Sequence, residues 1–426
     1  MITVGFDFGT HQTKICYETI EEGTVFYEVF KFKKPNGEET LTLPSFIRRL
    51  DDGRLLYGHD AVDDSAGGQA ITYFKQEMFS WTVSDEVRIA AEKWSVLYLA
   101  FIYFHLARKF PNGNYIVQMG MPTDANPEHY AFCKKQAMKV MGAAMALAGN
   151  VYEWDLEEFL AAPYSQLADL AVKCMEAIPS DIHEAREWCP IFIFPEAYAA
   201  LIPLIKDSKL PEQGPNLFVD IGGGTVDISL FTSRLTETES AMPYLHYFDS
   251  IPYGLNMIMG EDFTKSHSVE VRQGQLTKQC INRFRTKLKQ ALRKMMKVLW
   301  QRYTDAERTS VMPFVNLCGQ IFDYRPICYS GGGSMVSGLK LPMESDDAGK
   351  RCNFSQVTTV SQLIDHSKLY VDDGIFHVLA TAFALSHSSL LNRDVNLEPD
   401  SIQLVPDHEL FGGIRVPPTY GWSYTW

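Results

Sequence analysis

The chain has 426 residues, of which 46% are hydrophobic and 21% charged, and its formal net charge is -13. This length predicts two or three core units that each bury their own interior, and the composition excludes a disordered or collagen-like chain. The acidic balance disfavours general DNA or RNA binding, while eight scattered cysteines without a CxxC pair point to neither a zinc site nor a disulfide framework and fit a reducing cytoplasm.

In chain order, the first run, residues 2–8, reads as a strand and lacks the charged and apolar regions of a signal peptide. GFDFGTHQTKICY, beginning at Gly5, is an apolar strand, an Asp, a glycine turn with threonines, and a second strand. A third strand is expected from Thr24 to Phe32, giving an antiparallel meander, and YIVQMGMP supplies a later one. AFCKKQAMKVMGAAMALA has helical spacing, and IFIFPEAY reads as a buried strand ending at a helix. The most apolar stretch, IFIFPEAYAALIPLI, is too short to span a bilayer. DSKLPEQGPN then serves as a connector.

LFVDIGGGTVDISLF, beginning at Leu217, repeats the opening pattern, followed by PYLHYFDS, a long helix, PICYSGGGS and IFHVLATAFALS. This self-similarity suggests a duplicated fold. The expected division is a first lobe at 1–210, a second at 211–390 and a C-terminal extension at 391–426. Residues 33–110 and about 255–312 are too long for plain connections and are expected as inserted subdomains. The long helix carries a basic face over an apolar stripe of Ile281, Phe284, Leu288, Leu292 and Met295.

In the second glycine segment, Gly222, Gly223 and Gly224 lack Cβ atoms, so their backbone N–H groups can approach a polyphosphate closely, and Thr225 adds a hydroxyl. Asp220 at the strand end can hold the waters of a magnesium ion, with Asp227 a second acidic candidate. Asp7, Gly9, Thr10 and Thr13 make the same arrangement in the first half. Either hairpin alone also reads as an ordinary glycine turn, but their matching places add weight to the functional reading. A third loop, Gly331, Gly332, Gly333 and Ser334, follows an apolar strand and leaves room for a base or ribose.

These three segments, in this order, resemble the two phosphate motifs and the adenosine motif of the actin, heat-shock-chaperone and sugar-kinase superfamily, over the chain to about residue 390. The resemblance implies an α/β fold of the duplicated ribonuclease-H-like actin type, with two lobes around a nucleotide cleft. LPSFIRRLDDGRLLYGHDA and ITYFKQEM resemble the first inserted lobe of DnaK-type chaperones, which implies a catalytic role for Lys75. IFIFPEAYAAL resembles their first connecting segment, with Glu196 where they place a water-orienting glutamate. Lys14 stands where actins and plasmid-segregation actins carry a phosphate-binding lysine, and Arg293 is the best match to the chaperones' adenine contacts.

The implied function is a chaperone-like, magnesium-dependent ATPase that converts ATP slowly to ADP and phosphate and acts as a conformational switch. Asp7 and Asp220 would support Mg²⁺, mostly through water, and the γ-phosphate charge would fall to Lys75 or Lys14. A protein partner or self-assembly is expected, in the cytoplasm, with no membrane and no general nucleic-acid binding. No segment resembles the chaperones' peptide-binding domain, so client binding in their manner is not expected. An actin-like filament former is the alternative, and a small-molecule kinase ranks third because no sugar-binding motif is recognisable.

Overall fold

In the computed structural model the described residues are 2–62, 64–111, 113–122, 127–149, 154–197, 199–201, 216–235, 241–255, 258, 276–307, 326–342 and 356–388. The expected connector boundary near Pro211, the stretches 259–275 and 308–312 of the second insertion, and the C-terminal extension with Trp422, Tyr424 and Trp426 lie outside them.

The chain is mixed α/β and is built on two large sheets. The first contains β1 (Ile2–Phe8), β2 (Gln12–Glu21), β3 (Thr24–Val29), β4 (Tyr115–Met121) and β5 (Ile191–Pro195), in the order β3-β2-β1-β4-β5. The second contains β6 (Asn216–Ile221), β7 (Val226–Leu235), β8 (Ala241–Ile251), β9 (Pro326–Ser330) and β10 (Gln356–Thr359), in the order β8-β7-β6-β9-β10. In each sheet the first three strands form an antiparallel meander and the last two run parallel to the first. β1 is buried on both faces, as a central strand must be, whereas β3 alternates between exposed and half-buried residues, as an edge strand does. β3 ends at Val29, short of the expected Phe32, which instead pairs with Thr40 in a separate two-stranded sheet.

Among the helices, α1 (Phe74–Met78), α2 (Asp85–Lys109), α3 (Pro127–Ala148) and α4 (Tyr164–Ala177) accompany the first sheet. α2 lies inside the stretch expected as an insertion, yet its middle, Ser95–Phe104, is buried all round in one core with β1, β4 and β5. The Ser84 hydroxyl caps its N-terminus, Asp85 and Glu86 occupy its first turn, and Arg108 and Lys109 its last, all matching the helix dipole. Among the described residues, no helix is long and apolar enough to cross a membrane.

α5 (Lys278–Glu307) lays Phe284, Leu288, Leu292 and Met295 on one face of the second sheet, beside Val219, Ile221 and Ile228, as its apolar stripe predicts. The other face of that sheet, through Phe218, Phe231 and Cys328, shares a core with α6 (Asp373–Leu385), with Ala200 and Leu201, and with Cys16 on β2. That core joins the two sheets. α6 begins at an Asp372 cap that accepts the Ile375 amide at 2.9 Å, and its far end lies on β1 and β2. Gln118 Nε2 donates to the His387 carbonyl at 3.1 Å, and the Ser388 amide donates to Glu18 at 3.2 Å.

Gly5 is the contact point of α6 on β1: a methyl group there would lie 2.2 Å from the Ala382 carbonyl oxygen and 2.3 Å from the Ser386 nitrogen. Gly5→Ala is therefore expected to lower stability by about 1–3 kcal/mol, the usual cost of overpacking, measured by urea unfolding. An unchanged midpoint would show that the helix does not bear on this strand.

Candidate functional site

The β1–β2 hairpin is tightened by the Gly9 amide, which donates to the Asp7 carbonyl at 3.1 Å. Any side chain at Gly9 would meet the Gln12 carbonyl oxygen, at 2.3 Å from a Cβ. Asp7 and Lys14 are cross-strand partners, and the Lys14 ammonium donates to Asp7 Oδ2 at 2.7 Å. Ser45 braces the turn from behind, donating its hydroxyl to the Gly9 carbonyl at 2.6 Å and its amide to the His11 carbonyl at 3.0 Å. Thr13 joins that brace, sharing hydrogen bonds with Ser45 and with the Tyr98 hydroxyl, and is fully buried.

The β6–β7 hairpin repeats this geometry with a different pair. Asp220 faces Asp227 across the two strands, and the Gly222 amide closes the turn on the Thr225 carbonyl at 2.9 Å. Gly254 supports it from outside: its amide donates to the Gly224 carbonyl at 2.9 Å, and a Cβ on it would lie 2.5 Å from backbone atoms of Gly223 and Gly224.

The two hairpins meet across one cleft of about 320 Å³, within the usual range for small-molecule pockets. Asp7, Gly9, Thr10, Lys14, Lys75, Glu196, Asp220, the three glycines 222–224, Thr225, Asp227, Gly331 and Gly332 line it, so most of the sequence-predicted residues converge. Thr13, Gly333, Ser334 and Arg293 do not line it. Thr13 belongs to the brace, Gly333 and Ser334 are buried under the third loop, and Arg293 is exposed on α5.

Lys75 arrives on α1, which opens at Tyr73 in the left-handed conformation, φ 60°. That conformation is uncommon for a bulky residue and gathers at functional positions. The Lys75 ammonium is buried, donates to Glu196 Oε1 at 2.6 Å and lies 5.8 Å from the centre of the Phe8 ring. Glu196 directly follows β5, and Gly120 on β4 makes room for it, since a Cβ there would lie 2.6 Å from Glu196 Cγ.

Sequence reasoning missed His11, Gln76 and His377, which also line the cleft. The His11 ring lies against the second hairpin: Cβ atoms on Gly223 and Gly224 would approach it to 3.2 and 3.1 Å. Its place inside the first glycine–threonine motif was the available signal.

Four carboxylates, Asp7, Glu196, Asp220 and Asp227, face two lysines, leaving the cleft with excess negative charge. Burial and then the neighbouring Asp227 push Asp220 up to about 7, and burial together with Glu196 pushes Asp227 up to about 6. Burial opposes the charge on Lys14, but Asp7, with Asp220 and Glu196 beyond it, outweighs this and holds its affinity for the proton above the ordinary value. Asp220 Oδ1 is buried with no hydrogen-bond partner among the described residues, an arrangement that calls for a ligand.

A divalent cation fits that orphaned oxygen and the charge imbalance. Among the described residues, no three such side chains are grouped closely enough to hold a bare ion. A cation there would be held by Asp7, Asp220 and Asp227 through its waters, the habit of magnesium.

The raised carboxyl groups make stability depend on pH. Folding favours their protonated forms, so this contribution is full below about pH 4 and is lost as pH rises through about 6 to 7. Asp220→Asn, which removes one of the two charges, is expected to gain on the order of 3 kcal/mol over the parent at pH 8 in chelator, and little at pH 4. Equal differences at both values would show that Asp220 is not held up by its surroundings.

No protein-family model matches the chain and no curated protein matches it at a significant level, so the chemical reading rests on this geometry.

Proposed function

We propose that the chain is a magnesium-dependent ATPase with the duplicated ribonuclease-H-like fold of the actin and heat-shock-chaperone superfamily, working as a nucleotide-driven switch. The observation that carries this reading is the convergence of two glycine hairpins from two like-ordered sheets on one acidic cleft that also holds Lys14 and Lys75. A polyphosphate alone would be repelled by four carboxylates, and a cation alone would leave the glycine amides unused. A metal–polyphosphate satisfies both, and the third glycine loop at Gly331 and Gly332 borders the same cleft where a nucleoside would extend.

Magnesium bound there would neutralise phosphate charge, with Asp7, Asp220 and Asp227 holding its waters. The amides of Thr10, Gly223, Gly224 and Thr225, which the turn bonds of Gly9 and Gly222 hold in place, cradle the phosphates. Lys75, already desolvated, stabilises charge developing on the transferred phosphoryl group, and Glu196 orients the attacking water and accepts its proton. Their ion pair at 2.6 Å keeps both side chains aimed into the cleft. Because the hairpins belong to different sheets, a ligand touching both binds the closed arrangement best, and closure is the output.

Isothermal titration is expected to show ATP binding with magnesium and none in chelator, with phosphate released slowly. Lys75→Ala should lower turnover by about 100-fold or more while leaving ATP affinity nearly unchanged, as befits a group acting chiefly in the transition state. Lys14→Ala should mainly weaken binding. Protein that binds no ATP at saturating magnesium would overturn the reading.

A further inference from the structure

A loop of three glycines has no side chains to hold it and a high entropy to lose, so something outside Gly331–Gly333 must set its shape. The structure places His377 of α6 in that role. The His377 ring is buried and lines the cleft, with Nδ1 3.1 Å from Ser334 Oγ and Nε2 3.0 Å from Ser361 Oγ. The Ser334 hydroxyl donates to the Gly331 carbonyl at 2.7 Å, and the Gly331 amide returns to the His377 carbonyl at 3.2 Å.

These bonds have one consistent direction. The Ser334 proton is committed to Gly331, so Ser334 Oγ accepts from His377 Nδ1–H, and the neutral ring accepts at Nε2 from the Ser361 hydroxyl. Burial holds the imidazole at about 4, far below its ordinary range, so it stays neutral near pH 7. The result is a closed circuit that pins Gly331 in a positive-φ, extended conformation, φ 78° and ψ 165°, that favours glycine. There the loop abuts the orphaned carboxylate: a Cβ on Gly331 would fall 2.1 Å from Asp220 Oδ1.

We propose that His377 is a positioning residue that sets the third glycine loop for the nucleoside end of the ligand. This rests on the nucleotide reading above. Among the described residues, the His377 ring bonds Ser334 and Ser361 and its carbonyl accepts from Gly331, none of them in either hairpin, so its loss should be felt by a nucleotide and not by a bare polyphosphate.

The test compares Mg-ATP with Mg-tripolyphosphate, each titrated into the full chain by calorimetry. His377→Phe, which fills the space without a donor or acceptor, is expected to weaken ATP about tenfold, the worth of one or two hydrogen bonds, and to leave tripolyphosphate affinity unchanged. His377→Asn, which keeps a donor near Nδ1, should recover most of the loss. Equal losses for both ligands, or undiminished ATP binding by His377→Phe, would overturn the proposal. If His377→Phe does not fold, Ser361→Ala removes one bond of the circuit and should give a smaller loss confined to ATP; a loss shared by tripolyphosphate, or none, would overturn it equally. Parent protein that binds neither ligand would instead overturn the nucleotide reading itself.

Discussion

The site depends on one constraint: among the described residues, four carboxylates are brought into a buried cleft with two lysines to balance them. Two of the acids, Asp7 and Glu196, are tied to Lys14 and Lys75 by short ion pairs. The other two, Asp220 and Asp227, face each other and are pushed toward their protonated forms. Burying charge without a partner is costly enough that proteins neutralise it or supply a counter-ion. Two acidic side chains on opposed strands of one glycine hairpin are therefore a poor choice for stability alone and a reasonable one for holding a hydrated cation.

The two sheets have the same strand order, and each carries an aspartate as the penultimate residue of its first strand, just before a glycine turn. What differs is the residue across the hairpin, Lys14 opposite Asp7 but Asp227 opposite Asp220. The first hairpin is thus neutralised internally, and the excess negative charge collects on the second. The third glycine loop touches that second hairpin at Asp220, and α6, which holds the loop, ends on β1 of the other sheet. One helix therefore bears on both sheets, on the third loop near its start and on Gly5 near its end.

The hairpins, the antiparallel meanders that continue them and the stripe on α5 were legible because each is a local pattern of period two or near four. Three site residues that fell outside the cleft were also open to local reasoning. Lys14 points into the cleft, so its neighbour Thr13 must point out of it by strand alternation. Arg293 lies off the stripe of Phe284, Leu288, Leu292 and Met295 and so must face solvent. Ser334 sits in the turn of the 3₁₀ segment Gly332–Met335, where its hydroxyl is taken by Gly331. The Lys75–Glu196 contact joins residues 121 positions apart, and no periodicity signals it; resemblance alone suggested both. His11 is marked only by its place inside the first glycine–threonine motif, and Gln76 and His377 carry no signal at all, since their roles depend on which backbone the fold places opposite them.

Glycines 223 and 224 show how far such a motif can be read. In this structure their bare faces meet the His11 ring, and Gly224 also meets Gln76, so a side chain at either position would first press on the first sheet's own residues. A glycine triplet at a strand end therefore reports close approach of something, and a neighbouring protein surface satisfies it as well as a phosphate does. The carboxylates discriminate between these cases. A hairpin needing glycine only to seat His11 gains nothing from placing Asp220 and Asp227 beside it, with one oxygen of Asp220 left without a partner. Smooth backbone, excess buried negative charge and that orphaned oxygen would be jointly met by a metal–polyphosphate, and seating His11 meets only the first of them.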